Sequence, residues 1–204
     1  KYCTGERFTG YRADSNGGRA LKTIRVSIIG FGVVGKGFAR VLLSNRELMR
    51  SMGVDVKVIA IADLPGSIVD EKGIDLERVL KETAARGFSP NSKMRAIEVI
   101  NGLKADVMVE VTPTNIDTGE PGLSHMVAAL KNRQHVVTSN KGPLVVAYKR
   151  LMDLAIENNV KLKFEATVGG AMPILNLASE MLIGYKITSI RGIFNGTCNY
   201  ILTR

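Results

Sequence analysis

Gly30, Gly32 and Gly35, in the run Gly30-Phe31-Gly32-Val33-Val34-Gly35, have a spacing suited to wrapping a backbone around an anion. The first glycine allows a tight turn. The second, with no Cβ, lets the chain approach a pyrophosphate, and the third lets a helix pack close to the preceding strand. A helix starting there aims free N–H groups and the positive end of its dipole at the anion. Asp63 stands where an acid can bond the hydroxyls of an adenosine ribose, although the 28 residues from Gly35 exceed the usual ~20. Two later stretches, 110–115 (EVTPTN) and 138–143 (TSNKGP), gather small polar groups around one cation, Lys141. An ammonium there can stabilise charge developing on a carbonyl oxygen and supply a proton.

Each of these has a plainer reading. The glycines can form a packing turn, and Asp63 can open the turn Leu64-Pro65-Gly66. Ser139 or Asn140 can cap a helix beside a solvated Lys141. An acid at 63 with no Arg directly after it leans toward NAD, while the basic Arg40 and Lys57 keep NADP open.

The elements that must position these residues follow from periodicity. Ile24 to Ile29 is a β-branched run ending at Gly30, which predicts a buried strand. Helical spacing predicts a helix over 34–51. A second strand runs from Val54 to Ala62, with helices over 74–86 and 92–101. Ala105 to Val111 is a third strand, and 122–132 is helical. His135 to Thr138 is a fourth strand, 143–158 is helical, and 161–165 is a fifth short strand. Alternating strands and helices imply an α/β fold, a Rossmann-type doubly wound parallel sheet. Its ligands lie beyond the carboxyl ends of the strands, where residues 110–115 and 138–143 both fall. After Glu165 the rhythm changes: a glycine-rich turn, a helix near 173–183 and a strand near 186–194 open a second α+β domain. The organisation expected is a flexible extension (1–22), a nucleotide-binding domain (23–150) and the incomplete start of a second domain (151–204).

Composition narrows the classes. Of 204 residues, 45% are hydrophobic and 23% charged, enough apolar content for a core. No run of about 18 apolar residues lacks charge, which argues against a membrane span. Two cysteines cannot make a disulfide scaffold, so a reducing, cytoplasmic setting is expected. The net charge of +9 favours an anionic partner, and +3 of it lies in residues 1–22. The basic residues are scattered and aromatics are few, so a dinucleotide is expected rather than nucleic acid. Both termini look cut, which suggests a fragment. His125, on a helix, and His135, at the far end of a strand, read as structural. Cys198 reads as a buried thiol, and the stripe Met172, Ile174, Leu175, Leu177, Met181, Leu182 as core or dimer packing.

Six blocks in order carry a resemblance: GFGVVGKG (30–37), EVTPTN (110–115), DTGEPG (117–122), TSNKGPL (138–144), EATVGGAMPI (165–174) and GIFNGTCNYILT (192–203). Over residues 23–204 the chain resembles homoserine dehydrogenases, particularly their archaeal-like branch. The resemblance implies reduction of L-aspartate 4-semialdehyde to L-homoserine with NADH or NADPH, in threonine, methionine and isoleucine biosynthesis, by a homodimer. It assigns the pyrophosphate to Phe31, Gly32, Val33 and Val34, and the rest of the cofactor to Thr112, Pro113, Asn140 and Lys141. It places a monovalent cation, often sodium, on main-chain oxygens of Glu165, Val168, Gly170 and Met172. Here GGAMP stands where many members read GAGLP. The family's acid-rich substrate segment and the lysine usually assigned as proton donor lie beyond NGTCNYILT. Lys141 is therefore the catalytic candidate within this chain. The alternatives are another Rossmann oxidoreductase of amino-acid semialdehydes or imines, and a cofactor-binding module without turnover.

Overall fold

The structure is a computed structural model that describes residues 21–170 and 172–204. Most of the expected extension, residues 1–20, lies outside the described residues. Lys22, assigned to that extension, instead begins strand β1 (Lys22–Ile29) and pairs with Val54.

Five parallel strands form the sheet: β1, β2 (Val54–Asp63), β4 (Val107–Glu110), β5 (His135–Thr138) and β6 (Leu162–Lys163). A sixth strand, β3 (Gly66–Val69), pairs antiparallel with β2, giving the order β3-β2-β1-β4-β5-β6. Strand β3 stands where the sequence shows only a turn. Asp63-Leu64-Pro65-Gly66 is a hairpin turn whose ends, Asp63 and Gly66, pair with each other, and four residues are too few to show alternation.

Alternate side chains of each strand go to opposite faces, so neighbours in β1 enter different cores. Val26 and Ile28 pack with Ala39, Leu76 and Val79, under α1 (Val33–Ser44) and α3 (Leu76–Arg86). Ile29 packs on the other side with Met126, Leu130 and Leu151. That side is covered by α4 (Ala96–Gly102), α5 (Gly122–Lys131) and α6 (Lys141–Glu157). Helices on both faces make this the doubly wound, Rossmann-type arrangement. Each fully buried Leu or Ile contributes about 1.5–3 kcal/mol, so the two clusters hold the strand ends at fixed heights.

Several boundaries differ from expectation. The helix expected over 34–51 breaks at Asn45, whose side chain donates to the Val41 carbonyl at 2.9 Å and ends α1. A short helix, α2 (Arg46–Ser51), follows. Helix α3 starts after Asp75, whose carboxylate caps Arg78 N at 3.0 Å. Helix α6 crosses position 150 without ending, and β6 adds to the same sheet. The helix expected over 173–183 is a short α7 (Ile174–Asn176) continued by a π-helical turn, Leu177–Met181. The strand expected near 186–194 does not form: Ile187, Ile190 and Ile193 recur every third residue instead of alternating, no strand among the described residues pairs with the segment, and a strand needs a ladder. A last helix, α8 (Gly196–Leu202), follows. Cys198 is exposed on it, not buried. Met172, Leu177 and Met181 are likewise exposed rather than in a core. Among the described residues no helix is long and apolar enough to cross a membrane.

Candidate functional site

The register sets Ala62, Ile29, Glu110 and Thr138 in one row across the sheet. Just past that row, at the carboxyl edge, the chain leaves every parallel strand from β2 to β5. A cavity of about 490 Å³ opens there. Its walls are the glycine loop (Gly30 to Val34), Asp63, the β4 exit (Val111 to Thr114) and the β5 exit (Ser139 to Lys141). Residues as far apart in sequence as Gly30 and Lys141 meet because four parallel strands end level.

Gly30 takes φ +98°, and a Cβ on it would stand 2.7 Å from the Val111 carbonyl oxygen. Gly35 packs inside the loop, where a Cβ would come within 2.2 Å of the Gly30 carbonyl oxygen. Over Gly32 the space is open. Gly32 is also the N-cap of α1, with no side chain capping it and no acid in the first turn. The first turn of a helix leaves N–H groups without intrahelical partners, so this end is free to receive an anion. Phe31 divides its roles. Its ring is buried and packs 5.8 Å from Phe88, and its amide donates to Asp63 Oδ2 at 3.2 Å. The open amides of the loop are therefore those after Phe31.

Asp63 ends β2 and does what both readings asked: its Oδ1 accepts from Leu64 N at 2.8 Å, starting the turn, while the residue lines the cavity. Leu64 is 98% exposed at the tip of that turn. Lys57 lies six residues before Asp63, about 20 Å back along the strand, with its side chain against Gly73.

At the opposite wall Asn140 caps α6, its Oδ1 accepting from Gly142 N at 3.1 Å. Pro143 fits the first turn because it lacks the N–H that would go unpaired. The cap and the site coincide, for Asn140 Nδ2 reaches toward Thr112 Oγ1 (3.4 Å) and the Pro113 carbonyl oxygen (3.5 Å). Lys141 is the first residue of α6, exposed on the cavity wall. A cation at a helix N-terminus opposes the dipole, so helix stability does not account for it.

Sequence reasoning passed over the group behind this wall. Glu110 is fully buried, accepts from Thr112 N at 3.1 Å and from Thr112 Oγ1, and lies 3.3 Å from Thr138 Oγ1. An acid closing an otherwise apolar strand (VMVE) was the available signal. His125 is buried, with Nδ1 3.8 Å from Glu110 Oε1.

The segment assigned to a cation stands apart: among the described residues of 165–172 only Ala166 reaches the cavity. The Glu165 carboxylate accepts from Leu175 N (2.9 Å) and Asn176 N (2.8 Å), capping α7. Its own carbonyl accepts from Val168 N, and that of Met172 from Ile174 N. Gly169 and Gly170, at φ +71° and +62°, turn the backbone between them. Among the described residues no cluster of three or more His, Cys, Asp or Glu side chains could hold a metal ion.

The comparisons with known proteins agree with this geometry. The family model described as "Homoserine dehydrogenase, NAD binding domain" matches residues 30–165, and that described as "Homoserine dehydrogenase" matches 173–204. The chain is 46% identical over 184 residues to the homoserine dehydrogenase of Methanocaldococcus jannaschii, covering 88% of this chain and 55% of the relative. A putative homoserine dehydrogenase from Archaeoglobus fulgidus superposes with a TM-score of 0.80 at 42% identity, over 88% of this chain and 53% of that one. A hyperthermophilic archaeal homoserine dehydrogenase in complex with NADPH superposes at 0.69 with 29% identity, over 79% and 50%. The chain thus spans about half the length of the relatives it matches. With the NAD-binding model covering strands β2 to β6 and both walls of the cavity, the chain belongs to the homoserine dehydrogenase family.

Proposed function

We propose that this chain binds a nicotinamide dinucleotide and contributes to reducing L-aspartate 4-semialdehyde to L-homoserine. The observation that carries the reading is the single cavity joining the uncapped start of α1 to Lys141 at the start of α6. The amides of Gly32, Val33 and Val34 hold the pyrophosphate, with Gly30 and Gly35 shaping the loop. Asp63 takes the adenosine ribose, and Thr112, Pro113 and Asn140 frame the nicotinamide end. When bound, the reduced nicotinamide supplies a hydride to the aldehyde carbon. Lys141 balances the charge that develops on the aldehyde oxygen and offers it a proton. In a protein carrying this chain, Lys141→Ala lowers NAD(P)-dependent homoserine oxidation at least about a hundredfold, with the melting temperature kept. Undiminished turnover removes Lys141 from the chemistry.

The same reading selects NAD(H) over NADP(H). A 2′-phosphate at the end of β2 meets the Asp63 carboxylate, and neither neighbour in the turn, Leu64 or Pro65, is a cation to offset it. Lys57 is too far down the strand. Fluorescence titration checks this: NADH binds more tightly than NADPH, and Leu64→Arg narrows the gap. A tighter grip on NADPH by the parent chain overturns it.

Residues 22–163 act as the cofactor unit and later residues as the start of a substrate and dimerisation unit, so the division falls near 163 rather than 150. The Glu165, Val168, Gly170 and Met172 carbonyls would hold sodium, since the Glu165 carboxylate is already bonded to two amides. Replacing sodium by choline during melting tests that assignment, and light scattering tests the homodimer. The low cysteine content, two in 204 residues, supports a reducing, cytoplasmic setting, which fractionation checks.

A further inference from the structure

Glu110 is the most deeply buried carboxylate beside the cavity, and the reaction described above does not use it. It closes β4 after Val107, Met108 and Val109. Burying a carboxylate is costly unless its hydrogen bonds are supplied, and a purely structural strand end has no need of one. Its partners are the residues that form the cavity wall. Oε1 accepts from Thr112 N at 3.1 Å and from the Thr112 hydroxyl. Oε2 lies 3.3 Å from Thr138 Oγ1, which in turn accepts the Asn140 amide at 2.9 Å. Gly122 leaves the room this needs, since a Cβ there would stand 3.2 Å from Glu110 Oε2 and 2.7 Å from Asn140 Nδ2. His125 Nδ1, buried and without a hydrogen-bond partner among the described residues, faces the carboxylate from α5.

The direction of one bond has a chemical consequence. A hydroxyl has one proton to donate and two lone pairs to accept with. Thr112 gives its proton to Glu110, and Asn140 Nδ2 approaches one of its lone pairs at 3.4 Å, so what its hydroxyl has left to offer the cavity is a lone pair and no proton. We infer that Glu110 is a positioning residue that fixes the Thr112 hydroxyl as a hydrogen-bond acceptor for the carboxamide nitrogen of a nicotinamide ring. This rests on the dinucleotide reading of the cavity.

The test compares two ligands by fluorescence titration: NADH, and reduced 3-acetylpyridine adenine dinucleotide, in which a methyl replaces the carboxamide nitrogen. The parent chain binds NADH about threefold to tenfold more tightly, the worth of one hydrogen bond. Glu110→Gln keeps an acceptor at the same reach and retains the preference. Glu110→Asp keeps the carboxylate but withdraws it by one methylene, and the preference falls toward one, as it does in Thr112→Val. The double variant discriminates no less than Thr112→Val alone, because Glu110 acts through Thr112. Should Glu110→Asp fail to fold, Glu110→Met, of similar length without an acceptor, carries the same expectation. A change that merely loosened the fold would weaken both ligands equally and leave the ratio unmoved, which overturns the role of Glu110 while NADH binding stands. A parent chain that binds neither ligand overturns the dinucleotide reading and this inference with it.

Discussion

Residues 22–163 and residues 172–204 are both rich in branched apolar side chains, yet those side chains end in opposite places. In the first region Ile28, Met108, Leu130 and Leu151 are completely buried. In the second no residue is buried, and Met181, Ile183 and Tyr200 are between 61% and 81% exposed. Apolar content is common to both; opposed faces are not. A sheet offers two faces for helices to cover, whereas short helices, a π-helical turn and an irregular unpaired run offer none to one another. The candidate site lies almost wholly on the region with its own core, where parallel strand ends can hold side chains in register.

Amide hydrogen exchange puts the comparison under the greatest strain. Amides of Ile28, Val109 and Val136 open only with global unfolding and exchange slower by about four decades than free peptide. Those of 186–194, outside any ladder, exchange near the free-peptide rate. Comparable protection in both regions would break the contrast. Core truncation sharpens it at the next level. Leu151→Ala lowers unfolding free energy by about 2–5 kcal/mol, and Ile201→Ala changes it by less than about 0.5 kcal/mol, both read from urea midpoints. The smallest effect concerns the one ion pair that, among the described residues, ties the regions together. Lys163 Nζ donates to Glu180 Oε1 at 2.6 Å and holds the Glu180 carboxyl below its usual range. A depressed carboxyl stabilises the fold above the ordinary carboxylate range, and that contribution disappears as pH falls through its folded value. Because both groups are exposed, Glu180→Gln lowers the melting temperature slightly at neutral pH and not at all in strong acid. A loss that persists in acid assigns the effect to packing.

Much of this was legible in the sequence. The strands at 24–29, 54–62 and 135–138 stood out because runs of Val and Ile at strand ends are chemically distinct from their flanks. The glycine loop was legible because its spacing has a mechanical meaning. The antiparallel β3 was not, since a four-residue strand after Pro65 has too few positions to show a period. The strand expected near 186–194 shows the opposite failure: its β-branched content (Ile187, Thr188, Ile190, Ile193) favours a strand locally, but pairing depends on another segment.

The sequence alone determined which residues could do the chemistry: three glycines at pyrophosphate spacing, an acid at the end of a strand, and an asparagine-lysine pair before a helix-starting proline. These are local properties, set by backbone freedom and side-chain type over a few residues. Only the tertiary structure decided that the amide of Phe31 is already taken by Asp63, and that Glu110 lies buried beside Thr138 and His125 behind the wall that Thr112 and Asn140 form. Those facts depend on which strands lie side by side and at what height they end, and that register arises from packing both faces of the sheet at once.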